Sequence, residues 1–165
     1  MNNLSPSSQK VQDVLKSLGY DCMVQESAVT SRTASDAAKL VGCDVGQIVK
    51  SLIFKGADSS KPILVLTSGA NRVDESLIAS YAGEIILRAD PEFVRATTGF
   101  AIGGVPPVGH AVEMDTYLDE DLTQYSEIWA AAGTPNSLFK LTPEELKKMT
   151  GGKVARVKTS TNNPG

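Results

Sequence analysis

An α+β fold with a mixed sheet is what the sequence predicts. Helix-type and strand-type apolar spacings alternate irregularly along the chain, unlike the regular strand–helix repeat of a doubly wound sheet. No internal repeat, low-complexity tract or Pro/Gly-rich linker divides the 165 residues, so one domain over 1–165 is expected. Hydrophobic residues make up 41% and charged residues 21%, a usage that can fill a core and is far from that of disordered chains.

The first helix starts at the Ser5-Pro6-Ser7 cluster and runs to Leu18, with Val11, Val14, Leu15 and Leu18 on one face and Gly19 as its stop. Thr33 caps a second helix, Asp36 is its partner three residues on, and Gly42 ends it; Ala34, Ala37 and Ala38 permit close packing on a sheet. Residues 48–54 and 62–67 are rich in β-branched and apolar side chains, and the loop Gly56-Ala57-Asp58-Ser59-Ser60 allows them to form a hairpin. Residues 71–81 read as a helix and 84–87 as a short strand. Asp90-Pro91-Glu92 supplies a cap, a first-turn proline and an early carboxylate for a helix that finishes before Gly99. Beyond a loop over 99–110, short strands are expected at 111–115, 126–131 and 137–141. Thr142-Pro143-Glu144-Glu145 opens the last helix with a capping box, Gly151-Gly152 ends it, and a strand follows at 154–157.

Composition narrows the function classes. No apolar run approaches the roughly 18 residues of a membrane helix, and the first residues lack a basic segment followed by an apolar one. Cys22 and Cys43 form no C-x-x-C and have no histidine neighbours, so a disulfide scaffold, a redox pair and a structural zinc site are not expected, and the cytoplasm is the default compartment. The formal charge is −3 and the isoelectric point about 5.2, which speaks against broad DNA binding through many phosphate contacts. Charge is nevertheless uneven: residues 111–135 carry six acidic and no basic side chains, whereas residues 136–165 carry six basic and two acidic ones. Lys140, Lys147, Lys148, Lys153, Arg156 and Lys158 could form a local basic face or the solvated side of an ordinary helix and strand.

His110 is the only histidine, which excludes multi-histidine metal sites and any scheme with two imidazoles. No H-E-x-x-H, phosphate-binding G-x-x-x-x-G-K-[ST] or dinucleotide glycine fingerprint is present, so no metal or cofactor is expected. No G-x-S-x-G elbow marks a serine nucleophile. Lys50 falls by strand alternation on the face of Ile48, Leu52 and Phe54. An ammonium there either escapes along its stem to water or meets an anion. The loop from Gly99 to His110 holds four glycines and two prolines, a rigid wall of amides that suits an oxyanion or a tight structural connection equally well. His110 alone is more often a structural histidine than a base.

The combination Thr33-Ala34-x-x-Ala37-Ala38, Ile48-Val49-Lys50-Ser51-Leu52-Ile53-Phe54, Thr98-Gly99-Phe100, Gly103-Gly104-Val105-Pro106-Pro107-Val108-Gly109 and Asp119-Glu120-Asp121-Leu122 resembles the YbaK-like family of aminoacyl-tRNA editing domains. The resemblance spans nearly the whole chain. It implies a barrel-like sheet flanked by helices and a free-standing trans-editing deacylase that removes a wrong small amino acid from proline tRNA. It further implies that Lys50 holds the phosphate and ribose end of the acceptor strand, and that Gly103 and Gly104 bind the aminoacyl carbonyl and stabilise the oxyanion. Ser51, His110, Gly133 and Leu138 are implied as substrate-binding residues. Relatives often carry a polar residue where Leu138 stands, so a more apolar pocket is expected here.

The implied partners are the acceptor end of mischarged tRNA and prolyl-tRNA synthetase, with no membrane, specific DNA or cofactor. An aminoacyl ester is already activated, and the adjacent ribose hydroxyl can orient water, so a histidine base is not required. A noncatalytic nucleotide- or tRNA-end-binding module, and a small-ester or phosphate-ester hydrolase, remain as alternatives.

Overall fold

The computed structural model describes residues 4–160. In chain order its elements are α1 (Pro6–Ser17), β1 (Val24–Glu26), α2 (Ala34–Val41), β2 (Ile48–Gly56), β3 (Pro62–Ser68), α3 (Glu75–Ala82), β4 (Ile86–Arg88), α4 (Pro91–Thr98), β5 (Asp115–Asp119), β6 (Ile128–Ala131), β7 (Ser137–Leu141), α5 (Pro143–Thr150) and β8 (Lys153–Ala155). The expected α+β class is found: a mixed sheet of eight strands flanked by helices. The strands run in the order β1-β7-β6-β2-β3-β5-β8, with β4 as a branch on β2. β2 and β3 form the expected antiparallel hairpin, whereas β6 lies parallel to β2 and β5 parallel to β3.

Both faces of the β2–β3 hairpin are covered, which is why 62–68 reads as an almost unbroken apolar run. Val49, Ile53, Leu64 and Leu66 pack with Val11 and Leu15 of α1, Val94 of α4 and Leu146 of α5. On the opposite face Phe54, Ile63 and Val65 pack with Ile78 of α3, and Ala37 and Ala38 bring α2 onto Ile48, Trp129 and Leu138. Both cysteines are free.

The helices capped by Ser5, Thr33, Asp90 and Thr142 fall where expected; β4 is found at Ile86–Arg88 and not at 84–87, β6 begins at Ile128 and not at 126, and other elements differ for identifiable reasons. β1 was not expected: Val-Gln-Glu carries no apolar alternation, and the strand exists because β7 pairs with it, Val24 opposite Phe139. The strand expected at 111–115 lies at Asp115–Asp119, because the Ala111 and Val112 N–H groups turn back to the carbonyls of Thr98 and Thr97 at the end of α4. The last strand is Lys153–Ala155, one residue early, and Val157 leaves the ladder to enter the core. The helix expected from residue 71 begins after Asp74, whose carboxylate accepts from the Ser76 and Leu77 N–H groups, while Val73 is drawn into a bridge with Lys158.

Candidate active site

The pairing of β2 creates the cleft. One edge of β2 pairs along its length with β3; the other meets β6 only at Ile48 and Val49 and meets β4 only from Phe54 onward. The Ala89 N–H reaches the Ile53 carbonyl on this second edge. Backbone groups alternate in direction along a strand, so the Ser51 N–H and C=O point into the gap between β6 and β4. A cleft of about 300 Å³ opens there, walled by residues 48–52, by Ile102, Gly103 and Val105, by Ala131, Thr134, Pro135, Ser137 and Leu138, and by the first turn of α2 with Ser31 and Arg32.

Lys50 stands at one side of this cleft, and its Nζ donates to the Asn71 carbonyl at 2.9 Å. Asn71 is held in turn by Asp119, a fully buried carboxylate. Asp119 Oδ2 accepts from Thr67 Oγ1 at 3.1 Å, the Ser68 N–H at 2.9 Å and Asn71 Nδ2 at 2.8 Å, and Oδ1 accepts from the Asp121 N–H. Asp121 joins Asn71 to Lys158 through a 2.9 Å ion pair. Among the described residues no carboxylate lies within ion-pair distance of Lys50, so two of the three donors of its ammonium have no protein acceptor. Burial pushes the Lys50 ammonium below its ordinary 10.5, and the nearby Asp119 charge pulls the other way. The lysine is thus neither extended into water nor neutralised by a carboxylate. Asn71 and Asp119 were not singled out in the sequence, although Asp119 begins one of the family motifs.

Ser51 has its Oγ buried without a hydrogen-bond partner, the only such side-chain oxygen or nitrogen among the described residues. Leaving a buried hydroxyl unpaired costs on the order of 1–3 kcal/mol. Leu138 is buried and lines the cleft beside Pro135 and Ala37.

The glycines divide into two roles. Gly103, at φ +95°, lines the cleft, and its N–H takes part in none of the bonds that hold the loop. Gly104 corrects the expectation of a second substrate-facing amide: its N–H donates to the Ala101 carbonyl, and its carbonyl accepts from the Gly133 N–H. A Cβ on Gly104 would lie 2.7 Å from Thr134 Cα and 2.8 Å from the Gly133 carbonyl, so two backbones touch here without room for a side chain. Gly133 is likewise placed in the scaffold and not on the cleft wall, with φ +103° and a virtual Cβ 2.6 Å from the Ser7 carbonyl of α1.

His110 is corrected as well. Its ring lies in a second cleft with Val14, Leu18, Val112 and Met149, apart from Lys50 and Gly103. Its Nε2 donates to the Pro106 carbonyl at 2.7 Å, which fixes the proton on that nitrogen, and burial pushes its pKa below the ordinary 6.5. It holds the proline-rich turn in shape. No spacing signal could have separated these two clefts, because His110 and Gly103 are close in sequence.

The model of the Aminoacyl-tRNA editing domain matches residues 29–149, and the chain belongs to that YbaK-like family. The Uncharacterized protein YwhH of Bacillus subtilis is 34% identical over 131 residues, which cover 79% of this chain and 83% of that protein. The "Putative Cys-tRNA(Pro)/Cys-tRNA(Cys) deacylase EbsC" of Enterococcus faecalis is 31% identical over 131 residues, 77% of each chain. A solved structure described as a "putative trans-editing enzyme for prolyl tRNA synthetase" superposes with a TM-score of 0.91 at 49% identity, covering 96% of this chain and all of that one.

Proposed function

We propose that this protein is a trans-editing deacylase that hydrolyses the ester of mischarged tRNA, with proline tRNA carrying a wrong small amino acid as its substrate. The observation that carries the reading is Lys50: an ammonium with two unfilled donors, half-buried at the edge of a small apolar cleft. Such a group awaits an anion, and the terminal phosphate of an acceptor strand supplies one. About 300 Å³ suits a short aminoacyl group with part of its ribose and leaves little room for a large side chain.

In this reading Lys50 anchors the phosphate and ribose. The Gly103 N–H faces the ester carbonyl, while Ser51 and Leu138 line the pocket. Gly104 and Gly133 hold the wall that carries Gly103. Water is oriented by the ribose hydroxyl next to the ester, so the protein contributes positioning and charge stabilisation. The same reading places the protein in the cytoplasm, where prolyl-tRNA synthetase and charged tRNA meet. Among the described residues no helix is long and apolar enough to cross a membrane.

A deacylation assay with a panel of mischarged tRNAs tests the proposal. Esters of small amino acids on proline tRNA should be hydrolysed, and the same ester on a tRNA ending in deoxyadenosine, lacking the neighbouring hydroxyl, should bind comparably and react far more slowly. A wild-type protein that leaves every ester intact overturns the reading.

A further inference from the structure

A chain of buried hydroxyls runs from the start of α1 to the cleft. Ser5 Oγ, the N-cap of α1, donates to Ser8 Oγ at 3.2 Å; Ser8 Oγ meets Ser137 Oγ at 2.5 Å; and Ser137 Oγ meets Thr134 Oγ1 at 2.7 Å. Ser8 and Ser137 are 0% and 1% exposed, so their protons must find partners inside the protein. Each hydroxyl has one proton to give. If Ser137 donated to Ser8, the Ser8 proton would be stranded in a fully buried site. The chain therefore runs outward, Ser5 to Ser8 to Ser137 to Thr134. Thr134 Oγ1 also accepts from the Asn136 N–H, which leaves the Thr134 proton as the one without a protein acceptor, at the wall of the cleft.

The neighbour of Thr134 across the cleft wall is the glycine loop. A Cβ on Gly103 would lie 3.7 Å from Pro135 Cγ, and one on Gly104 would lie 2.7 Å from Thr134 Cα. The free Gly103 N–H and the free Thr134 O–H thus stand on two backbones that touch.

We infer that the Thr134 hydroxyl is a second donor to the oxyanion, aligned by the chain that begins on α1. This rests on the deacylase reading. As the water oxygen bonds to the ester carbon, the carbonyl pair moves onto its oxygen and is held by the Gly103 N–H and the Thr134 O–H. Collapse restores the C=O bond and expels the ribose oxygen, which takes a proton released by the attacking water, to give a free amino acid and a tRNA with its hydroxyl restored. A one-way chain of hydroxyls polarises its last donor, which strengthens with developing negative charge. Ser8 and Ser137 are positioning residues. Ser8 lies outside the span 29–149 matched by the family model, so this input comes from α1.

The test measures single-turnover deacylation of the panel substrate that the wild type hydrolyses fastest, together with thermal melts. Thr134→Val, which keeps the shape and removes the donor, should lower kcat by about 10²-fold with KM nearly unchanged. Thr134→Ser should restore most of that loss. Ser8→Ala, remote from the substrate, should lower kcat of the folded enzyme by a smaller factor without changing KM, because the chain can then reverse and Thr134 can donate inward. An active wild type whose kcat survives Thr134→Val overturns this inference and leaves the deacylase reading standing, as does a Ser8→Ala effect that follows melting temperature alone. A wild type inactive on the whole panel overturns both.

Discussion

Lys50 and His110 show how burial gives two titratable residues opposite uses. The Lys50 ammonium is held by a carbonyl and not by a carboxylate, so it stays available to an anion at the cost of a lowered pKa. Lys50→Met, which keeps the stem, should abolish deacylation while the melting temperature holds or rises, since removing an incompletely paired buried cation relieves desolvation. Substrate binding should weaken as pH rises through the lowered Lys50 pKa, where the charge is lost. Stability moves the other way: the unfolded chain binds this proton more tightly, so folding gains from this group as pH climbs from the lowered value toward 10.5. For His110 the folded pKa also lies below the ordinary value, so its stabilising contribution is present above 6.5 and lost as pH falls from there through the folded value. The melting temperature should drop between about pH 7.5 and 5.5, and the drop should flatten in His110→Gln, with kcat retained. A His110→Gln variant that folds fully but no longer deacylates would return His110 to the active site.

Among the elements, the glycine loop and the start of α3 decide the site. A Cβ on Gly104 would press into the Gly133–Thr134 backbone, so Gly104→Ala should destabilise by about 1–3 kcal/mol and lose activity in parallel with folded protein. A Cβ on Gly103 would make only an ordinary contact, 3.7 Å to Pro135 Cγ, and the strain comes from its positive φ, so Gly103→Ala should cost about 1–2 kcal/mol. Urea melts of the two variants, read beside residual activity, separate scaffold from wall. The α3 boundary matters for another reason. A helix starting at residue 71 would put the Asn71 carbonyl into the helix hydrogen-bond pattern; capping by Asp74 leaves it free for Lys50. The sequence contained that cap, Asp74-Glu75-Ser76, but the apolar spacing over 71–81 extends past it. Helix ends with a strong cap and a glycine stop, Thr33 to Gly42 and Asp90 to Gly99, were legible because both signals act within one turn. β1 and β5 were not legible, because their partners, β7 and β3, are far away in the chain.

At the scale of the molecule, two of the basic residues of the last third are already paired with carboxylates. Lys140 pairs with Glu127 and Lys158 with Asp121, Lys147 and Lys148 lie on α5, and Lys153 belongs to β8. A tRNA held by Lys50 and a few such charges makes about two or three phosphate contacts, so log K against log[salt] should have a slope near about −2. Anisotropy measurements over a range of KCl would check this, and a slope approaching about −6 would require an extended basic surface.

From the sequence alone came the α+β class, the capped helices, the β2–β3 hairpin and, through motif order, the family with Lys50 and the glycine loop at its centre. These are local or nearly local properties: caps, turn glycines and apolar spacings act over a few residues. The tertiary structure alone decided that one edge of β2 would be left unpaired between β6 and β4, that the Gly104 amide would be closed off, and that His110 would face a different cleft. It also decided that Asp119 would hold Asn71 from 48 residues away and that Ser8 would meet Ser137 across 129. Such contacts exist only once the helices have packed on the sheet and excluded water, when every buried donor must find whichever acceptor the packing has brought beside it.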